Sequence, residues 1–82
     1  MPTIAIIDGI TILMWPNDHP PPHFHVRFAG RTGKFDIATG IMIKGTLDRR
    51  TIKKVQAWTI RNQSSLLQAW TRSRPQTTTT NS

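Results

Sequence analysis

The hydrophobic residues of this chain change their spacing once, near Thr46, and that change constrains the fold more than any other feature. Before it, apolar residues alternate with polar ones, as in half-buried strands; after it, they recur every three or four residues, as on one face of a helix. Strands followed by helices indicate an α+β domain. We therefore predict an antiparallel meander of four or five strands, followed by one kinked helix or two C-terminal helices packed on one sheet face.

Five apolar runs supply the predicted strands. Asp8 and Gly9 separate the first two, and an Asp-Gly pair favours a two-residue hairpin in which both central residues have positive φ. Residues 29–33 are predicted to form a glycine-bearing hairpin loop, and Thr39 and Gly40 the next turn. The predicted strands cover residues 3–7, 10–15, 23–28, 34–38 and 41–45.

The second half of the chain is predicted to be helical. Asp48 is the predicted N-cap, with Thr46 as the competing cap. The polar run at residues 62–65 favours a break between two helices over a kink, and Pro75 ends the helical region. A single domain then covers residues 1–74, and the Thr-rich residues 75–82 form a disordered tail.

The charge balance narrows the chemistry. Eleven Lys and Arg face four Asp and no Glu, which gives a net charge of +7 on 82 residues. Such an excess attracts polyanions, RNA or another nucleic acid first and an acidic protein second. Mechanisms that need paired carboxylates are disfavoured because two of the four Asp are expected in turns or caps. We expect RNA and a small acidic protein as partners.

Two absences in the sequence exclude further classes. The chain has no cysteine, so disulfides and thiolate metal sites are excluded. No apolar run approaches the roughly 20 residues that span a bilayer, so we expect a cytoplasmic protein with no membrane partner. A domain this small often depends on a partner or a second copy of itself, which leaves a homodimer open.

The segment NDHPPPHFHV, Asn17–Val26, holds every histidine of the chain. Its three prolines favour polyproline II and would hold His19 at a set distance from the following strand. In that strand, alternation places three apolar residues on one face and three polar ones on the other. The apolar set is Phe24, Val26 and Phe28, and the polar set is His23, His25 and Arg27.

Three interpretations of this segment compete. In the acid–base interpretation, His23 or His25 transfers the proton in phosphodiester cleavage while Arg27, with Lys34 or Lys44, stabilises the phosphorane. In the metal interpretation, His23 and His25 chelate an ion with His19 or Asp18, but Arg27 on the same face argues against it. The third is binding without chemistry.

We favour the acid–base interpretation and predict neither a metal nor a cofactor. Whether the protein is an enzyme stays open; if it is, a metal-independent endoribonuclease is the class expected. The predicted catalytic residues are His23 and His25. The predicted nucleic-acid-binding residues are His19, Arg27, Lys34, Lys44, Arg49 and Arg50.

The chain also resembles a family of small bacterial proteins of uncharacterised function. The resemblance rests on the MPTI start, on Gly9 and on the block DHPPPHFHV, and it extends over residues 1–73. Later matches are Thr39, Gly40, Arg49, Arg50, Trp58, Leu66, Leu67 and Trp70. Members are typically encoded beside a second small protein, in an arrangement resembling a toxin–antitoxin cassette.

The resemblance implies a toxin-like or antitoxin-paired role. Together with the charge and the histidines, it predicts a toxin-like component that acts on RNA through a basic, His-bearing sheet face. The alternative is a non-catalytic module that binds nucleic acid or its cognate partner, and the third possibility is a small metal-binding protein.

Overall fold

The computed structural model describes residues 3–15 and 18–72, and the predicted tail lies outside them. The five strands form one antiparallel sheet in the order in which they occur along the chain. This confirms the predicted meander. The elements are β1 (Thr3–Ile7), β2 (Ile10–Leu13), β3 (His23–Phe28), β4 (Arg31–Asp36), β5 (Met42–Gly45), α1 (Arg49–Arg61) and α2 (Gln63–Arg72).

Two tight turns connect the first four strands in pairs. Asp8 and Gly9 have φ values of 48° and 78°, as the Asp-Gly pair predicted. Ala29 and Gly30 form a second two-residue turn, with φ values of 52° and 77°. The predicted loop over residues 29–33 is therefore too long, because β4 already begins at Arg31.

Gly33 explains that error. It lies buried inside β4, paired with Val26, rather than in a loop. A Cβ atom added at Gly33 would lie 2.6 Å from Leu47 Cδ1, so a side chain here would force Leu47, which packs directly on the strand, to move. A glycine that accommodates a close contact inside a strand looks, in sequence, like a glycine in a turn.

The core lies between the sheet and the two helices. Phe24 and Phe35 are cross-strand partners with rings stacked at 5.6 Å, and the Trp58 ring meets Phe24 edge-on at 6.0 Å. The helices pack on this apolar face of the sheet, as predicted. The buried core comprises Ile10, Ile12, Met14, Phe24, Val26, Phe35, Ile37, Leu47, Val55, Leu66 and Trp70.

Side-chain caps set the helix ends. Asp48 Oδ1 accepts a hydrogen bond from the Thr51 backbone N–H at 3.1 Å, so Asp48 is the N-cap of α1. Thr46, the competing candidate, instead donates its backbone N–H to Thr32 O. At Asn62 the chain leaves α1, and Asn62 Nδ2 donates to Trp58 O. The predicted break into two helices is confirmed.

Gln63, the first residue of α2, ties the helices to the sheet by donating from Nε2 to the carbonyl oxygens of Ile37 and Ala38, at 3.0 and 2.9 Å. Within the described part of the chain, neither helix is long and apolar enough to cross a membrane.

Candidate functional site

A cluster of one carboxylate and two imidazoles lies at the start of β3. Asp18 Oδ2 is 2.9 Å from His23 Nε2 and 3.1 Å from His25 Nε2, so both histidines meet the same oxygen. The two imidazole rings lie edge to face, with centroids 5.3 Å apart. Alternation along the strand brings His23 and His25 to one face, and the loop before the strand brings Asp18 over them.

His23 is held from both ends of its ring. Its side chain is 3% exposed, and the Trp70 ring of α2 lies 5.2 Å away between centroids. Nδ1 is 2.9 Å from Pro21 O. A carbonyl oxygen can only accept a hydrogen bond, so Nδ1 carries the hydrogen and donates the bond to Pro21 O. Nε2, the other ring nitrogen, faces Asp18. The alternation predicted His23 on a polar face, but the structure buries it, with Asp18 against Nε2 and the Trp70 ring of α2 close to the imidazole.

Asp18 is ionised in this cluster. Burial pushes the pKa of Asp18 upward, but the hydrogen bond from His25 and the electrostatic interaction with His23 outweigh it, so that the pKa lies below its usual value of 3.8. The carboxylate is thus available to attract a cation or to orient the two imidazoles at neutral pH.

A row of basic residues extends from His25 across the sheet. His25 on β3 pairs with Lys34 on β4, which pairs in turn with Lys44 on β5. Directly opposed residues point to the same face, so these three side chains lie together on the face opposite the helices. We call His25, Lys34 and Lys44 the basic row, and this side of the sheet the open face. The row lines a depression of about 540 Å³.

The other predicted nucleic-acid-binding residues do not all lie on the open face. Arg27 is exposed and follows His25 by two positions on the same face of β3. His19 is exposed in the proline segment and makes no hydrogen bond within residues 3–15 and 18–72. Arg49 and Arg50 begin α1, which belongs to the helical layer on the other side of the sheet. Sequence reasoning grouped all four with the lysines, whereas the structure brings Arg27 alone onto the same strand face as His25.

Asp18 is the functional candidate that sequence reasoning left out of the predicted site, although it weighed Asp18 as a ligand. The other three Asp of the chain have structural partners. Asp36 accepts from the backbone and hydroxyl of Thr39, Asp48 caps α1, and Asp8 lies 3.6 Å from Lys54 Nζ. The sequence feature that could have identified Asp18 is its position just before a histidine-bearing strand, in a chain with only four acidic residues.

Fold and site together define a small basic α+β protein with an Asp–His–His cluster at one end of a lysine-bearing row. The chain belongs to the family described as Domain of unknown function (DUF4160), which matches residues 9–71. The matched region runs from the first hairpin into α2 and therefore includes the cluster and the basic row. Comparison with curated proteins gave no match, and neither did comparison with solved structures.

Proposed function

We propose that this protein is the toxin-like component of a bacterial two-gene toxin–antitoxin-type system and acts on RNA in the cytoplasm through its open face. The observation that carries the proposal is the alignment of His25, Lys34 and Lys44 across three neighbouring strands. The cassette context comes from the sequence resemblance, and a small acidic protein would be the natural partner of a chain with a charge of +7.

The pairing of the two lysines in the basic row favours an anionic ligand. Like charges directly opposite each other in a sheet destabilise the strand pair, and Lys34 and Lys44 are opposed in this way. A phosphate group between them would reverse that repulsion, and Arg27 on the same face would hold a neighbouring phosphate. RNA is a ligand that presents such phosphates in series.

Trp15 favours a single strand over a duplex. Its side chain is 41% exposed, and its ring lies 6.3 Å from the His25 ring between centroids. Proteins that bind single-stranded nucleic acid combine a basic groove with exposed aromatic rings on which bases stack. In our proposal the backbone of the RNA follows the basic row while a base stacks on Trp15.

The two predicted catalytic histidines differ in access. The His25 side chain is 31% exposed and ends the basic row, whereas His23 is buried. In the proposed function His25 is therefore the residue that meets the phosphodiester, and His23 positions the cluster. A non-catalytic RNA- or partner-binding module remains the second candidate, since the lysine row serves binding equally well.

RNA binding tests the proposal directly. We expect a labelled single-stranded RNA to bind the full chain in fluorescence anisotropy, measured in chelator over a range of salt concentrations. The double variant Lys34→Gln/Lys44→Gln should weaken binding and lower the slope of log K against log salt by roughly 1.4, since each lost single-strand contact contributes about 0.7. The control Lys53→Gln, on exposed α1 surface, should leave the slope unchanged.

Equal slopes for the double variant and the control would refute the proposed RNA face. Arg49→Gln/Arg50→Gln reports separately whether a longer RNA reaches the helical layer. Cleavage of the bound RNA that is lost in His25→Ala would separate the enzyme from the binding module, and binding without cleavage in any buffer would favour the module.

A further inference from the structure

The geometry points to a binding site for one divalent transition-metal ion, of the zinc class, formed by Asp18, His23 and His25. One ligand atom from each residue lies within 4.8 Å of the other two. Two imidazole nitrogens and one carboxylate oxygen form a donor set found at catalytic zinc sites, which keep a further position for water. This site shares His25 with the basic row, but zinc binding to it can be tested without RNA.

The spacing of the three ligand atoms fits such an ion. Metal–ligand distances of about 2.0–2.1 Å around a tetrahedral ion place neighbouring ligand atoms about 3.3 Å apart. The oxygen of Asp18 is 2.9 Å from one imidazole nitrogen and 3.1 Å from the other. The two imidazole nitrogens lie within 4.8 Å of each other, so small movements of the three side chains would admit the ion.

The surroundings of His23 are those of a metal ligand. Histidines that bind metals nearly always donate their second ring N–H to a carboxylate, a backbone carbonyl or water, which fixes the tautomer. His23 makes this bond from Nδ1 to Pro21 O. Nε2 of the same ring, whose side chain is 3% exposed, faces Asp18 at 2.9 Å and is the ring atom left for a metal.

The site is anchored to the sheet and open on one side. His23 and His25 lie on the central strand β3, and Ile37 N–H donates to Pro22 O at 3.1 Å, which ties the proline segment to the chain after β4. The side chains of His25 and Asp18 remain 31% and 25% exposed. Water can therefore reach the ion and occupy a coordination position.

The donor set selects the class of metal. Calcium and magnesium prefer six or more oxygen ligands, whereas imidazole suits zinc, copper, iron and nickel. Lys34, directly opposite His25, opposes any cation and lowers the affinity, while the Asp18 carboxylate favours it. If the proposed RNA function holds, an ion here would keep a bound water at the end of the basic row, beside the phosphates.

Zinc titration of the chelator-treated full chain tests the site. We expect one equivalent to bind in calorimetry, with at least about a tenfold loss of affinity in Asp18→Asn and in His25→Ala. His19→Ala is the matched control, because His19 is exposed and belongs to the same segment but not to the cluster. It should bind zinc as the unchanged protein does.

NMR of the unchanged protein guards against variants that fail to fold. Zinc should shift the imidazole carbon-bound protons of His23 and His25 and leave those of His19 in place. Three results would overturn the site: no binding, loss of affinity in His19→Ala equal to that in His25→Ala, or full affinity in Asp18→Asn. The cluster would then be a hydrogen-bonded Asp–His–His triad that binds no metal. RNA binding in chelator is measured separately, so failure of one proposal leaves the other standing.

Discussion

His25 and Lys34 lie directly opposite each other on β3 and β4, so that an imidazole hydrogen-bonded to a carboxylate has a lysine as a cross-strand partner. The pair joins the two halves of the candidate site. His25 belongs both to the cluster that could hold a metal and to the row that could hold a phosphate, and Lys34 favours the second while opposing the first.

Lys34→Gln should therefore lower the affinity for RNA and raise the affinity for zinc. RNA affinity should fall and its salt slope should decrease by about 0.7, the contribution of one single-strand contact. Zinc affinity should rise about two- to fivefold, since a unit charge about 8 Å from a divalent ion costs about 1 kcal/mol in water before screening by salt. Anisotropy and calorimetry measure the two effects. A parallel loss of both affinities would contradict this prediction, and Lys53→Gln, which removes a charge from exposed α1 surface, should change neither affinity.

Phe24→Ala should remove the centre of the core. Phe24 is fully buried, stacked on Phe35 and in contact with Trp58, and truncation of such a residue costs about 3–5 kcal/mol. Urea denaturation followed by circular dichroism measures the loss. Ile6→Ala is the control because Ile6 is 65% exposed, and it should change stability by less than about 0.5 kcal/mol.

Gly33→Ala should destabilise the protein by about 1–3 kcal/mol, because the new methyl group would meet Leu47 Cδ1 at 2.6 Å. Shortening Leu47 should relieve this clash. In the double variant Gly33→Ala/Leu47→Ala the loss should be smaller than the sum of the two single losses, which a double-mutant cycle in urea measures. Strict additivity of the two losses would show that contact with Leu47 is not what opposes a side chain at position 33.

The N-cap of α1 should give the helix an acid-sensitive contribution. The hydrogen bonds from Thr51 hold the pKa of Asp48 below its usual value of 3.8. A carboxyl whose pKa is depressed in the folded state stabilises the protein above the unfolded value, and that contribution is lost as the pH falls below 3.8 toward the folded pKa.

Asp48→Asn separates the charge of this cap from its geometry. Asparagine also caps helices well, so at neutral pH the variant should keep most of the stability, while Asp48→Ala should lower the melting temperature. Between pH 4 and pH 2 (roughly the range around an ordinary aspartate pKa), the difference between the unchanged protein and Asp48→Asn should shrink. A difference that grows on acidification would contradict the role of the Asp48 charge.

Local patterns predicted most of the fold because most of the fold is made of local contacts. The Asp8 and Gly9 turn, the alternation in β3 and the Asp48 cap each depend on residues close in sequence. The prediction failed at Gly33, which pairs with Val26 inside β4 and has Leu47, fourteen residues later, packed on it.

In the candidate site too, features set by nearby residues could be predicted, whereas features set by residues distant in sequence could not. The sequence predicted a basic, His-bearing sheet face that includes His25, Lys34 and Lys44, and the register of the sheet puts these three in one row. Sequence did not reveal that His23 is buried, because that depends on Trp70 reaching it from α2. Nor did it show that Asp18, rather than His19, meets both imidazoles, since the path of the loop decides which side chain turns toward the strand.

Because each strand of the meander pairs with its neighbour in the chain, the Asp–His–His cluster and the basic row are encoded in one continuous stretch, from Asp18 to Lys44. The helices lie outside that stretch and bear on it mainly from the other side of the sheet. If the proposed cognate protein binds the helices, their exposed surface can change with that protein while the residues of the open face stay the same.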